Sequence, residues 1–162
     1  MIIDDEVLAV LTAIVLIASV LSAALIIPRH TEPFLALGLL GSKGKIGDYP
    51  RTVVAGTPIN LYVFIANYQG KAVFLEVVAK IGSKGNIPTN TTPLDAPPIW
   101  EYSVILDNGE NITVPVQLTL TQEGMNQAIV FELWIFNTTA GSWRYTGQWN
   151  HLYVNVTRGV TP

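Results

Sequence analysis

The 162-residue chain contains no cysteine. Disulfide bonds, thiolate metal sites and a cysteine nucleophile are therefore excluded. Only two histidines are present, His30 and His151, and no metal-ligand spacing joins them. The lack of cysteine does not exclude an extracellular location, because a domain of about 130 residues can bury enough surface to fold without cross-links.

Charged residues are also scarce, at 13% of the chain against about 25% in typical soluble proteins. The net charge of −3 and the lack of a basic cluster argue against a nucleic-acid partner. The sequence has no phosphate loop, no dinucleotide fingerprint and no nucleophile-elbow motif. We therefore predict no catalytic residue, no cofactor and no metal site, and we interpret the chain as non-enzymatic.

One long apolar run stands at the N-terminus. Residues 7–27 carry no charge, and as a helix they would span roughly 30 Å, the thickness of a bilayer core. Pro28 cannot continue the helix. The run predicts a transmembrane helix within residues 1–28 that contacts the lipid bilayer through residues 7–27, followed by a short linker at 29–33.

Two other interpretations of this helix stay open. A cleaved signal peptide is one, with small residues at 22–24 as the cleavage site, although the run is long and acidic residues precede it. A pilin-like helix packed in a filament core is the other, although the basic processing site of archaeal-type pilins is missing. Small residues permit close helix packing, and we select Ala13 and Ser19 as candidate packing positions.

The side of the membrane that the C-terminal part faces is indicated by two conflicting signals. Arg29, Lys43 and Lys45 follow the helix and favour the cytoplasm by the positive-inside rule. Asn-x-Thr sequons for N-linked glycans indicate an exported surface. The sequons exceed chance, so we predict an extracellular domain at the cell surface. They lie at Asn90, Asn111, Asn137 and Asn155.

Alternating apolar and polar residues dominate after residue 33, and we find no further helical period. The clearest alternation, over residues 112–121, contains Pro115, which indicates an edge strand or a bulge. The pattern predicts an all-β immunoglobulin-like antiparallel sandwich over 34–158 and a tail at 159–162. The predicted strands are 34–40, 59–67, 71–81, 100–106, 112–121, 128–136 and 149–156.

Two features of the later strands could carry interactions. Glu132 lies within an otherwise apolar strand, where it could point outward, pair with Lys or Arg, or face a partner subunit. Trp143, Tyr145 and Trp149 flank a Gly/Ser/Thr turn. We consider them a possible binding patch for sugar or a neighbouring protein; packing over the end of the sandwich is the alternative.

Four segments after residue 33 carry a resemblance to a known family: FLALGLLGSKGKIGDYP, VVAGTPINLYVFIANYQGK, IVFELWIFN and WRYTGQWNHLYVNVT. They resemble the archaeal, membrane-associated DUF1616 family of unknown function, over roughly residues 34–157. It implies an immunoglobulin-like β domain beside membrane helices in an archaeal envelope, and it supplies no catalytic residues. This chain differs from longer members in having a single apolar helix.

These observations lead to one principal hypothesis and two alternatives. The principal one is a membrane-anchored, glycosylated β-sandwich that is an accessory or assembly subunit of an archaeal cell-envelope complex. Its partners would be other envelope or membrane subunits or copies of itself. The first alternative is a pilin-like filament subunit with a helical core and a sheath of β domains. The second is a carbohydrate-binding or small hydrolase domain.

Overall fold

A computed structural model describes residues 4–26 and 32–159. The chain divides into two compact units, one that contains the helix and one that begins at Pro33. The predicted helix end at Ile27, the following Pro28 and the linker residues 29–31 lie outside the described residues, as do residues 160–162.

The helix α1 spans Asp5–Ile26. Two acidic residues in its first turn, Asp5 and Glu6, interact favourably with the positive end of the helix dipole. The Oγ1 of Thr12 donates to the carbonyl of Leu8, and the Oγ of Ser19 donates to the carbonyl of Val15, at 2.8 and 2.7 Å. No α1 side chain is buried. The helix is long and apolar enough to cross a membrane, as an anchor or as a signal sequence.

Eight strands form two sheets in the part of the chain that the structure describes. The three-stranded sheet has the order β1-β3-β6 and the five-stranded sheet has the order β2-β8-β7-β4-β5. The strands are β1 (Phe34–Leu40), β2 (Thr52–Val54), β3 (Pro58–Tyr68), β4 (Val73–Ser83), β5 (Pro98–Leu106), β6 (Asn111–Thr119), β7 (Gly124–Asn137) and β8 (Ser142–Thr157).

The strand order is that of an immunoglobulin-like sandwich. β1, β3 and β6 take the places of strands A, B and E, while β5, β4, β7 and β8 take those of C′, C, F and G. All pairings are antiparallel except that of β2, which runs parallel to the end of β8. The predicted fold class, a β-sandwich preceded by one apolar helix, is therefore confirmed.

The core lies between the two sheets and follows the period-2 pattern. On β6, the buried Val114, Val116 and Leu118 alternate with exposed residues, and Pro115 lies in this edge strand as predicted. The buried apolar side chains of β3, β4 and β7 complete the core; they include Ile59, Leu61, Val63, Ile65, Leu75, Val77, Ile129, Phe131 and Leu133.

Side chains of β8 cover the outer edge of β1. The amide nitrogen of Gln148 donates to the carbonyl of Leu35 at 2.6 Å, and that of Asn150 donates to the carbonyl of Leu37 at 2.8 Å. These bonds satisfy backbone acceptors that an edge strand otherwise exposes, and they join the two sheets at this side.

Candidate functional site

The segment between β4 and β5, residues 84–97, folds back over the outer face of the five-stranded sheet; we call it the strap. Leu94 in the strap is 2% exposed and packs on Ala128 and Val130 of β7. The alternate β7 residues, Ile129 and Phe131, belong to the main core between the sheets. Trp149 and Tyr153 of β8 flank this contact. A second, small core therefore lies outside the sandwich, beneath a segment that has no apolar periodicity.

A buried ion pair fastens the centre of the strap. The Nζ of Lys80 lies 3.0 Å from a carboxylate oxygen of Glu132, and their side chains are 10% and 0% exposed. The Nζ of Lys80 also donates to the carbonyl of Leu94 at 2.8 Å, while the backbone N–H of Leu94 donates to Glu132. The Nε1 of Trp134 donates to the same carboxylate at 3.2 Å. The hypothesis that Glu132 pairs with a basic residue is confirmed.

Two further contacts hold the strap at its Thr89-Asn90 turn. The hydroxyl of Tyr145 donates to the carbonyl of Thr89 at 2.9 Å, and its ring packs 5.4 Å from that of Trp134. Burial, and secondarily the negative charge of Glu132, raise the pKa of Tyr145 to about 12, so its hydroxyl stays a donor at neutral pH. A Cβ at Gly147, where φ is +81°, would collide with the carbonyl oxygen of Asn90, so glycine permits the close approach.

The three residues of the predicted patch share the outer face of β8 but have three different environments. The ring of Trp143 packs 4.8 Å from Phe74 and Tyr145 packs on Trp134, whereas Trp149 lies beside the strap, 5.2 Å from His151. The structure therefore does not join Trp143, Tyr145 and Trp149 into one cluster.

An apolar row that we did not predict crosses the same face. Ile105, Phe74, Phe136 and Trp143 lie on four neighbouring strands, and the Phe74–Phe136 and Phe136–Trp143 ring distances are 5.9 and 5.3 Å. Ile105 is 68% exposed. Contiguous apolar residues at a surface often mark interaction sites. Parity along β4 and β7 was the sequence signal that could have assigned Phe74 and Phe136 to the outer face of the sheet.

The four sequons lie at different parts of the sandwich. Asn90 is in the strap, Asn111 begins β6 and Asn137 ends β7, and all three are exposed. The side-chain oxygen of Asn137 accepts from the backbone N–H of Thr139 at 3.0 Å. Asn155 is half-buried, pairs with β2 and accepts from the backbone N–H of Asn126 at 2.9 Å.

A family model described as "Domain of unknown function (DUF1616)" matches residues 28–157, which is most of the chain. The chain belongs to the DUF1616 family. No curated protein sequence matches it.

Solved structures share the fold of this DUF1616 chain at low identity. A CARDB domain from Pyrococcus furiosus, crystallised with di-metal ions, is 16% identical with a TM-score of 0.49, over 78% of this chain and 90% of that one. A β-glucosidase from Listeria innocua in complex with glucose is 14% identical with a TM-score of 0.47, over 78% of this chain but only 16% of the enzyme.

Glu132 and Glu110 of the DUF1616 domain each accept hydrogen bonds from within the domain. Within residues 4–26 and 32–159, no group of three or more His, Cys, Asp or Glu side chains could hold a metal ion. The carboxylate of Glu132 is enclosed and already bonded to Lys80, Leu94 and Trp134. Asp107 and Glu110 belong to the turn that joins β5 of one sheet to β6 of the other, where the carboxylate of Glu110 accepts from the backbone N–H of Asp107 at 2.8 Å.

Proposed function

We propose that this DUF1616 protein is a non-enzymatic, membrane-anchored and glycosylated β-sandwich that lies outside the cell and acts as an accessory or assembly subunit of an archaeal envelope complex. The observation that carries the proposal is α1. Its 22 residues have no polar face and no buried face, and the hydroxyls of Thr12 and Ser19 are bonded to its own backbone. A helix that is apolar all round needs lipid or other apolar helices around it.

The proposed interaction role is supported by the outer face of the five-stranded sheet. The apolar row formed by Ile105, Phe74, Phe136 and Trp143 leaves large side chains in water, Ile105 above all. Burying such side chains against a partner is favourable by roughly 25 cal/mol per Å² of apolar surface. By contrast, the carboxylate of Glu132 is enclosed by its structural partners and is not available to a substrate.

The outward orientation is supported by the sequons. Asn90, Asn111 and Asn137 are exposed on a folded domain, as a glycan acceptor requires. The basic residues near the start of the sandwich are few, and the side chain of Lys43 is already paired with Asp48 at 3.4 Å.

The lack of native cysteine permits a direct test of anchoring and orientation. In intact cells, we expect a membrane-impermeant maleimide to label Lys84→Cys, an exposed position in the strap, and to label Asp4→Cys only after lysis. The protein should stay in the membrane fraction after an alkaline wash and should keep its N-terminal residues by intact mass. The reverse labelling pattern contradicts the orientation. A soluble product that lacks residues 1–24 contradicts the anchor.

The small residues of α1 favour one second candidate, a pilin-like filament subunit whose helices form the core. We predict that Ala13→Leu and Ser19→Leu preserve membrane insertion but weaken assembly, because added bulk separates packed helices. The hydroxyl of Ser19 is bonded to Val15 within the helix, so the substitution tests bulk rather than a lost polar contact between helices.

Particle size measured by electron microscopy of the native protein checks this prediction, with Leu16→Ile as the volume-conserving control. Filaments that shorten in both variants favour the filament subunit. Discrete particles that lose subunits favour the accessory role. Assembly that is unchanged in both variants contradicts helix packing and leaves recognition to the sandwich.

A further inference from the structure

A cleft of about 370 Å³ lies directly beside the sequon in the strap. Asn90 forms one rim, and residues 147–150 of β8 and the edge of β1 form the remainder. The β1 residues that line it are Leu35, Ala36 and Leu37.

The lining includes one aromatic residue and two residues with side-chain amides. Trp149 is half-buried, so part of its surface is accessible. Gln148 and Asn150 each donate one bond to a β1 carbonyl, at 2.6 and 2.8 Å. A side-chain amide has two donor hydrogens and one acceptor oxygen, so each retains capacity to bond a sugar hydroxyl. Aromatic rings beside polar amides are suited to carbohydrate, which has apolar ring faces and a rim of hydroxyls.

The backbone that presents Asn90 is held in place. Its carbonyl oxygen lies against Gly147, and the preceding carbonyl, that of Thr89, accepts from the hydroxyl of Tyr145. The backbone N–H of Thr92 donates to Oγ1 of Thr89 at 3.0 Å, which closes a local turn around the sequon. The acceptor asparagine is therefore fixed at the rim of the cleft instead of on a free loop.

We infer that the cleft between Asn90, Trp149 and the edge of β1 binds the first sugar of a glycan attached to Asn90, so that the modification fastens the strap to the sheet. The inference rests on the proposed glycosylation. Asn111 offers a contrast, because it begins the edge strand β6 of the other sheet, away from the strap.

The test compares the full chain made in a host that attaches N-linked glycans with the same chain made in a host that does not. The Tm is measured for the parent and for Asn90→Gln in both hosts, and the same set is repeated with Trp149→Leu, which keeps apolar bulk beside Leu94. Glycopeptide mass spectrometry gives the occupancy of each sequon. Asn111→Gln is the matched control.

We expect the glycan on Asn90 to raise the Tm of the parent by about 2–4 °C. In the Trp149→Leu variant this increase should disappear. Asn111→Gln should change the Tm of the parent and of the Trp149→Leu variant by the same amount. An Asn90 glycan effect that is the same with Trp149→Leu overturns the inference. Occupancy at another sequon but not at Asn90 overturns the inference alone. An intact mass that shows no glycan on any sequon overturns the proposed glycosylation as well.

Discussion

Replacing Lys80 with methionine is expected to lower the free energy of unfolding by about 3–5 kcal/mol, because it leaves the carboxylate of Glu132 buried without its cation. The side chain of Glu132 is 0% exposed and lies 3.0 Å from the Nζ of Lys80. Methionine keeps the length and most of the volume of lysine, so the loss reports the missing charge and not a cavity. The substitution also removes the donor to the carbonyl of Leu94.

An exposed ion pair provides the control for this measurement. Lys43 lies 3.4 Å from Asp48, but the two side chains are 76% and 69% exposed. Pairs in water contribute about 0–1 kcal/mol, so Lys43→Met should leave the unfolding midpoint in denaturant nearly unchanged. If Lys80→Met lowers the stability as little as Lys43→Met does, the N–H groups of Leu94 and Trp134 are sufficient to stabilise the buried carboxylate without a cation.

A second substitution should restore part of the lost stability. In the double variant Lys80→Met with Glu132→Gln, the buried group is neutral. Its side-chain oxygen can still accept from the N–H of Leu94, and no charge is left buried without a partner. We therefore expect the double variant to be more stable than Lys80→Met alone, which is a non-additive effect of residues in one network.

The buried ion pair between Lys80 and Glu132 explains how the strap, which has no apolar periodicity, takes a fixed position on the sheet. The strap contributes the buried Leu94 to the face that it covers, with the partly buried Ile87 and Ala96 beside it. Polar contacts through Lys80, Glu132 and Tyr145 add to this small apolar core. Directional bonds of this kind fix one placement of the backbone, since each buried polar group must find its partner.

The sandwich was predictable because its core obeys a simple rule. Successive strand residues point to opposite faces, so apolar residues at every second position place themselves between the sheets. Val114, Val116 and Leu118 show this on β6. The residue types of the Asp107-Asn108-Gly109 turn before them indicate a hairpin, but this turn joins β5 of one sheet to β6 of the other. The apolar run of α1 was equally readable from its length.

One strand, β2, and the first half of another, β8, were missed for physical reasons. β2 has only three residues, and its parallel pairing with Asn155–Thr157 depends on a strand that lies far away in sequence. β8 begins at Ser142, whereas the sequence pattern predicts a start at residue 149. Two irregularities interrupt the alternation of apolar and polar residues in its first half. One is the register shift opposite Glu132–Trp134, and the other is Gly147, which has a positive φ. A local pattern does not reveal pairing that begins before such an irregularity.

The outer face of the five-stranded sheet was the least predictable part. The sequence placed Trp143, Tyr145 and Trp149 together because they are close along the chain. Cross-strand neighbours decide their surroundings instead, as Phe74 does for Trp143. The partners come from β4, β7 and the strap, and single-sequence patterns carry no information on which strands are adjacent.

Val116→Asp is expected to abolish folding or to cost several kcal/mol, whereas Gln117→Asp should cost about 1 kcal/mol or less. Val116 is 2% exposed in the core and pairs with the buried Leu61 across β3. An aspartate there either keeps an unpaired charge in an apolar surrounding or takes up a proton, and both are unfavourable. A domain with a total stability of about 5–15 kcal/mol does not tolerate a loss of that size.

The neighbouring position tests the register of β6 directly. Gln117 is exposed, and its amide nitrogen donates to the side-chain oxygen of Asn60 at 3.1 Å. Aspartate loses this one surface bond and keeps its charge in water. Val116→Thr, which conserves the volume but adds a hydroxyl, should fall between the two variants because that hydroxyl needs a buried partner. Thermal unfolding followed by circular dichroism ranks the three. Equal melting temperatures for the two aspartate variants would show that β6 does not turn Val116 inward, since a shift of one residue exchanges the two faces of a strand.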